Sequence, residues 1–158
     1  MNTAHRIRTV AVAALAMTGL VLSAPALADV TASEAWARAT PPGAKSGAIY
    51  LTLVNPANEE RKLLKIVTPL SDEVMVHQTS VTELGVARMW PMAWLNVDAG
   101  QTVKMQPGGL HVMVNALKTP LVAGQKFPLT LKFDGGEAEF TVQVEVRPLT
   151  SDEHAHQH

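Results

Sequence analysis

Hydrophobic and polar residues alternate with a period of two along much of this chain, and turn-forming residues cut the alternation into short runs. Near the end, Phe140, Val142, Val144 and Val146 alternate with Glu139, Thr141, Gln143 and Glu145, the pattern of a sheet with one buried and one wet face. Residues 127–133 precede that run across Asp134, Gly135 and Gly136, a hairpin signal. Upstream, residues 46–55 (SGAIYLTLVN) form a β-rich run that ends in an Asn-Pro turn. Residues 63–67, 74–79, 86–90, 94–97 and 102–106 read as further short strands. A first run at 35–38 is closed by Thr40, Pro41, Pro42 and Gly43, which no helix tolerates. Beyond residue 28 no window of helical length keeps a 3.6-residue period. Short strands at turn-marked intervals predict an all-β domain, a β-sandwich or small barrel.

One run carries chemistry as well as core. Residues 107–113 (PGGLHVM) start with a Pro-Gly-Gly turn that launches a short strand. Strand side chains alternate faces, so Leu110, Val112 and Val114 point one way while His111 and Met113 share the other. An imidazole and a thioether side by side suit a soft, late first-row ion, with Cu(I) the leading candidate. Upstream, Val74 and Val76 alternate with Met75 and His77, so His77 again shares a face with a Met. Met89 sits beside Trp90, just before Met92. Taken singly, each of these reads as a surface His or a gap-filling Met; their joint occurrence favours a metal site. Met105 shares a face with Val103 and reads as core, and Trp90 and Trp94 read as packing, with Trp90 near enough to Met89 in sequence to shield an ion.

The first 28 residues read as an export signal. Arg6 and Arg8 precede an apolar stretch at 10–21, and Ala26, Leu27 and Ala28 make a small-x-small cleavage site. The stretch is short for a membrane span, and no Cys follows it to carry a lipid, so a periplasmic protein starting at Asp29 without a membrane anchor is expected. Arg6 and Arg8 account for two of the 13 Lys and Arg, leaving 11 against 14 Asp and Glu from residue 29 onward, a net charge near −3. Nothing there resembles the basic stripe that nucleic-acid binding needs. The absence of Cys rules out disulfides and thiolate chemistry, and with them a blue-copper centre. Ser80 lies near His77 but has no nucleophile motif around it, Gly108 and Gly109 lack a phosphate-loop pattern, and the carboxylates at 59–60 and 72–73 look like solvated charge.

The spacing of the four residues resembles that of the periplasmic copper A chaperones, the PCu(A)C family. Eleven residues separate His77 from Met89, and 21 separate Met89 from His111-Val112-Met113. The segments AWARATPPGAKSGAIYLTLVN, GVARM, PGGLHVMV and LKTPLVAGQKFPLTLKF are also similar to that family, so the likeness runs from about residue 36 to 146. It implies a cupredoxin-like, immunoglobulin-like β-sandwich in which His77, Met89, His111 and Met113 are the Cu(I) ligands. The implied recipient is the copper A centre on subunit II of cytochrome c oxidase, reached with or without a Sco-type partner. Many members carry a Met directly after the first His, where this chain has Gln78; Met75 could supply a spare thioether instead. A neutral set of two imidazoles and two thioethers suits Cu(I) over Zn(II) or hard cations, and four protein ligands leave no position for a substrate. A monomeric chaperone rather than an enzyme is therefore expected.

The resulting organisation is a leader at 1–28, a copper-binding domain at 29–148 and a polar tail at 149–158. In the tail, His154, His156 and His158 alternate beside Asp152 and Glu153, donors that suit a second, weaker Cu(II) site. Two other functions compete with delivery: copper storage or resistance, and a structural or assembly β-sandwich in which His and Met are incidental.

Overall fold

The computed structural model describes residues 30–135 and 139–149. Ten strands account for nearly all the regular structure there: β1 (Thr31–Arg38), β2 (Gly47–Val54), β3 (Arg61–Val67), β4 (Glu73–Val81), β5 (Ala87–Met92), β6 (Leu95–Val97), β7 (Thr102–Lys104), β8 (Leu110–Asn115), β9 (Lys126–Phe133) and β10 (Glu139–Arg147). They join in the order β5-β4-β8-β2-β1-β10-β9-β3-β6, with β7 paired to β2. β1 and β10 run parallel, and the other pairings are antiparallel. Contacts between β3 and β4 bring the two ends of the sheet together, so it curls nearly shut around one core. The expected all-β, cupredoxin-like architecture is what the chain adopts, as a curled continuous sheet.

Alternation places the core as expected. Ile49, Leu51 and Leu53 of β2, Val112 and Val114 of β8, Leu129 and Leu131 of β9, and Val144 and Val146 of β10 are buried inside the curl. Met105 joins them. Asn55, which follows β2, is fully buried and satisfied: its amide donates to the carbonyls of Glu59, Val97 and Asp98, and its Oδ1 accepts from the Ala57 N–H. The Asn-Pro turn is thereby tied to the end of β6.

Two local departures shape the outer face. Between Ser33 and Trp36 the register of β1 against β2 slips by one residue, and Glu34 there has φ +52°, a β-bulge. Without the extra residue Trp36 would stand opposite the inward-facing Ile49; with it, Trp36 stands opposite Tyr50 and faces out. A one-residue slip moves a side chain to the other face of the sheet. The second departure is at β5, expected to end at Trp90 but continuing through Pro91 to Met92. β5 is an edge strand, where the missing proline N–H leaves no ladder bond unmade.

Candidate metal centre

The outer faces of β4, β8 and β5 carry the four residues singled out above. β4 and β8 pair in register over six positions that include Met75 with Met113 and His77 with His111. The two imidazoles therefore stand directly across from one another, ring centroids 5.9 Å apart. On the other side of β4, Thr79 pairs with Met89, so Met89 lies on the same face as His77, one pair further along. Met89, His111 and Met113 line a single open depression with Tyr50, Ala48 and Ser46. All four residues thus share one face, and three of them open into one hollow.

The histidines are held in different ways. The Nδ1 of His111 lies 3.1 Å from the Gly109 carbonyl. A carbonyl only accepts, so Nδ1 carries a hydrogen, and in the neutral ring Nε2 then keeps the lone pair. The same carbonyl accepts from the Thr79 N–H, which pins the Pro-Gly-Gly turn to β4. Gly108 in that turn has φ +79°, a conformation that glycine adopts without a Cβ penalty. His77 is the reverse case: both ring nitrogens are buried and neither has a hydrogen-bond partner. Burial, and after it the proximity of His111, push the His77 imidazole below its ordinary pKa, so the neutral, electron-donating form is favoured. A buried polar group without a partner costs about 1–3 kcal/mol. A soft cation between the two rings would supply a partner to one of the two His77 nitrogens, and the residues present fit one. Among the described residues no group of three or more His, Cys, Asp or Glu could hold a metal; the donors here are imidazole and thioether.

Expectations about the neighbours divide. His111 faces outward yet is only 5 % exposed, because Tyr50 and His77 flank it. Tyr50 lies 6.4 Å from His111 and 4.5 Å from Trp36, centroid to centroid, and the Arg147 guanidinium lies 4.8 Å over the Trp36 ring. The role of Tyr50 was missed in the sequence, although its position out of phase with Ile49, Leu51 and Leu53 was the available signal. Met75 is on the metal-candidate face, 39 % exposed. Trp90 is not a shield: it pairs with Gln78 and so faces away from Met89. Trp90 and Trp94 are exposed, so neither packs in the core as expected. Gln78 also faces away from the site, its amide donating to the Thr79 carbonyl. His154, His156 and His158, and the leader at 1–28, lie outside the described residues.

A family model, LpqE-like, described as "Putative lipoprotein LpqE-like", matches residues 30–146. The chain belongs to the LpqE-like family. The relative "Putative lipoprotein Lxx21020" of Leifsonia xyli subsp. xyli is 32% identical over 149 residues, which cover 88% of each chain. Among solved structures, the fold resembles the copper-bound PCuAC domain from PmoF2, with TM-score 0.64 and 21% identity over 78% of this chain and 96% of that one. The solution structure of CuI-DR1885 from Deinococcus radiodurans is 32% identical, with TM-score 0.58 over 80% of this chain and 81% of that one. The chain therefore has the PCuAC fold, and the resemblance noted from its motif spacing holds.

Proposed function

We propose that this protein is a copper chaperone of an extracytoplasmic compartment, the periplasm, that carries Cu(I) on His77, Met89, His111 and Met113. The observation that carries this reading is the pair of facing imidazoles: His77 with two unpartnered, buried nitrogens, and His111 with Nδ1 engaged and Nε2 left over. Met113 and Met89 on the same face complete a neutral N/S set that prefers Cu(I). Copper-bound and CuI forms among the similar PCuAC structures support copper as the cargo, and the lipoprotein family name supports a position outside the cytoplasm. Delivery to the copper A centre of cytochrome c oxidase, directly or through a Sco-type protein, follows from the motif resemblance. The open hollow beside the donors favours handing over rather than storing, because a stored ion is better served by closure.

Anaerobic Cu(I) titration against a competing chelator tests the site. Replacing Met89 and Met113 together by Leu conserves volume and apolar character, so the fold should change by less than about 1.5 kcal/mol. Cu(I) affinity should fall by more than about 100-fold, beyond the usual effect of losing a ligand's supporting contact. A double variant that titrates like the parent would place the site elsewhere.

A further inference from the structure

The four proposed donors are not held equally. His77 on β4, and His111 and Met113 on β8, sit on strands hydrogen-bonded on both sides, β4 between β5 and β8, and β8 between β4 and β2. Met89 sits on β5, the end strand of the sheet, paired only with β4. β5 follows a hairpin tip at 82–86 whose Leu84 is 91 % exposed. Exposure follows the same gradient: Met89 is 50 % exposed, His111 5 %, Met113 is half-buried, and the nitrogens of His77 are sealed from solvent. The hollow that Met89, His111 and Met113 line is also lined by Ser46, Gly47, Ala48, Tyr50, Thr79 and Gly108. Apart from Tyr50 and Thr79, the residues beside the donors are small. An ion held by the four donors is approachable through the open side of this hollow, its mouth, where Met89 is the most exposed donor.

We propose that copper leaves through this mouth by associative exchange, and that Met89 is the ligand given up first. This rests on the four-donor reading above. The incoming ligand is a sulfur donor of the acceptor, since a soft ligand is needed to compete with thioether and imidazole for Cu(I). The incoming sulfur forms its bond to copper as the copper–sulfur bond to Met89 breaks. The ion remains Cu(I) and four-coordinate, no electron moves, and the released thioether is neutral, so no proton is taken up by Met89. An acceptor cysteine enters as its thiolate, its proton having gone to solvent. His77, His111 and Met113, fixed by two-sided pairing, hold the ion until the acceptor's second donor arrives. An edge strand suits the leaving ligand because its movement breaks pairing on one side only.

The test uses the full chain loaded anaerobically with Cu(I), its methionine methyls labelled with carbon-13 and its histidine rings with nitrogen-15, and N-acetylcysteine as the probe. The Met89 resonance is assigned by its loss in Met89→Leu. On addition of the probe, the Met89 methyl should return to its copper-free position while Met113 and both histidines keep their copper-bound shifts. In a second arm, Ser46→Trp narrows the mouth. Removal of copper by bicinchoninate should slow by about tenfold, a change in exchange rate rather than in binding, with Cu(I) affinity within about twofold of the parent and Ser46→Ala behaving like the parent. Met113 returning first, both methyls returning together, or Ser46→Trp exchanging as fast as the parent would overturn the proposal. If neither methyl shifts when Cu(I) is first added, the four-donor reading itself fails.

Discussion

His77 is held at a cost that the proposed copper site would offset. Its ring nitrogens are buried without partners, and its pKa is lowered chiefly by burial. The folded state resists protonating this ring below its ordinary value of about 6.5, so the unfolded chain binds more protons there. The copper-free protein should therefore lose stability as pH falls from about 6.5 through the lower folded value of His77, and the His77 contribution should be flat above about 6.5. His77→Leu removes both the unpaired nitrogens and the titration. It should raise copper-free stability by about 1 kcal/mol, flatten the acid limb, and abolish tight Cu(I) binding. Urea unfolding of parent and variant at a series of pH values checks all but the last, which the chelator titration reads. A variant less stable than the parent at pH 7 would show that the imidazole is satisfied in solution.

At the scale of elements, the turn before β8 does two jobs. The Gly109 carbonyl accepts from both His111 and Thr79, so the turn sets the tautomer of a proposed ligand while docking β8's entry onto β4. Gly108 makes that turn with φ +79°, and a Cβ there would meet nothing within 4 Å. The cost of Gly108→Ala is therefore backbone strain alone, about 1 kcal/mol. A shifted Gly109 carbonyl loosens the orientation of His111, so Cu(I) affinity should also fall by about tenfold. Gly85, at the tip of the β4–β5 hairpin, has φ +75° and the same empty surroundings. Gly85→Ala should show a similar loss of stability by thermal unfolding but unchanged affinity. Equal affinities in the two variants would detach the turn from the site.

At the scale of the whole molecule, the curled sheet gives one face to a single core, and the other carries the proposed donors. Residues 1–28 and 150–158 lie outside the described residues, and each segment has its own expected behaviour. We propose that residues 1–28 are removed on export, so the mature protein should have the intact mass of a chain starting at Asp29; a membrane-retained product keeping residues 1–28 would remove the proposed site of action. For the tail we propose a weaker Cu(II) site on His154, His156 and His158, held near the body at raised effective concentration and lost below about pH 6 as imidazoles protonate. Truncation after Thr150 should abolish the Cu(II) signal in electron paramagnetic resonance and leave Cu(I) binding unchanged. An unchanged Cu(II) signal would make the tail passive.

Period-two alternation was enough to find nearly every strand and to say which residues share a face within each one. It placed His111 with Met113 and His77 with Met75, because the pleat is a local property of the backbone. The spacing of His77, Met89, His111 and Met113 marked the family for the same reason: it can be counted along the chain. Which strand lies beside which could not be counted. That His77 faces His111 and Met75 faces Met113 depends on the register of β4 against β8, which is set jointly by every strand turning its apolar side to one core. The bulge in β1 that turns Trp36 outward, the placing of β5 at the edge and the burial of His111 beside Tyr50 are likewise products of pairing between distant segments. Alternation names the face of a side chain; only the closed sheet decides what stands next to it.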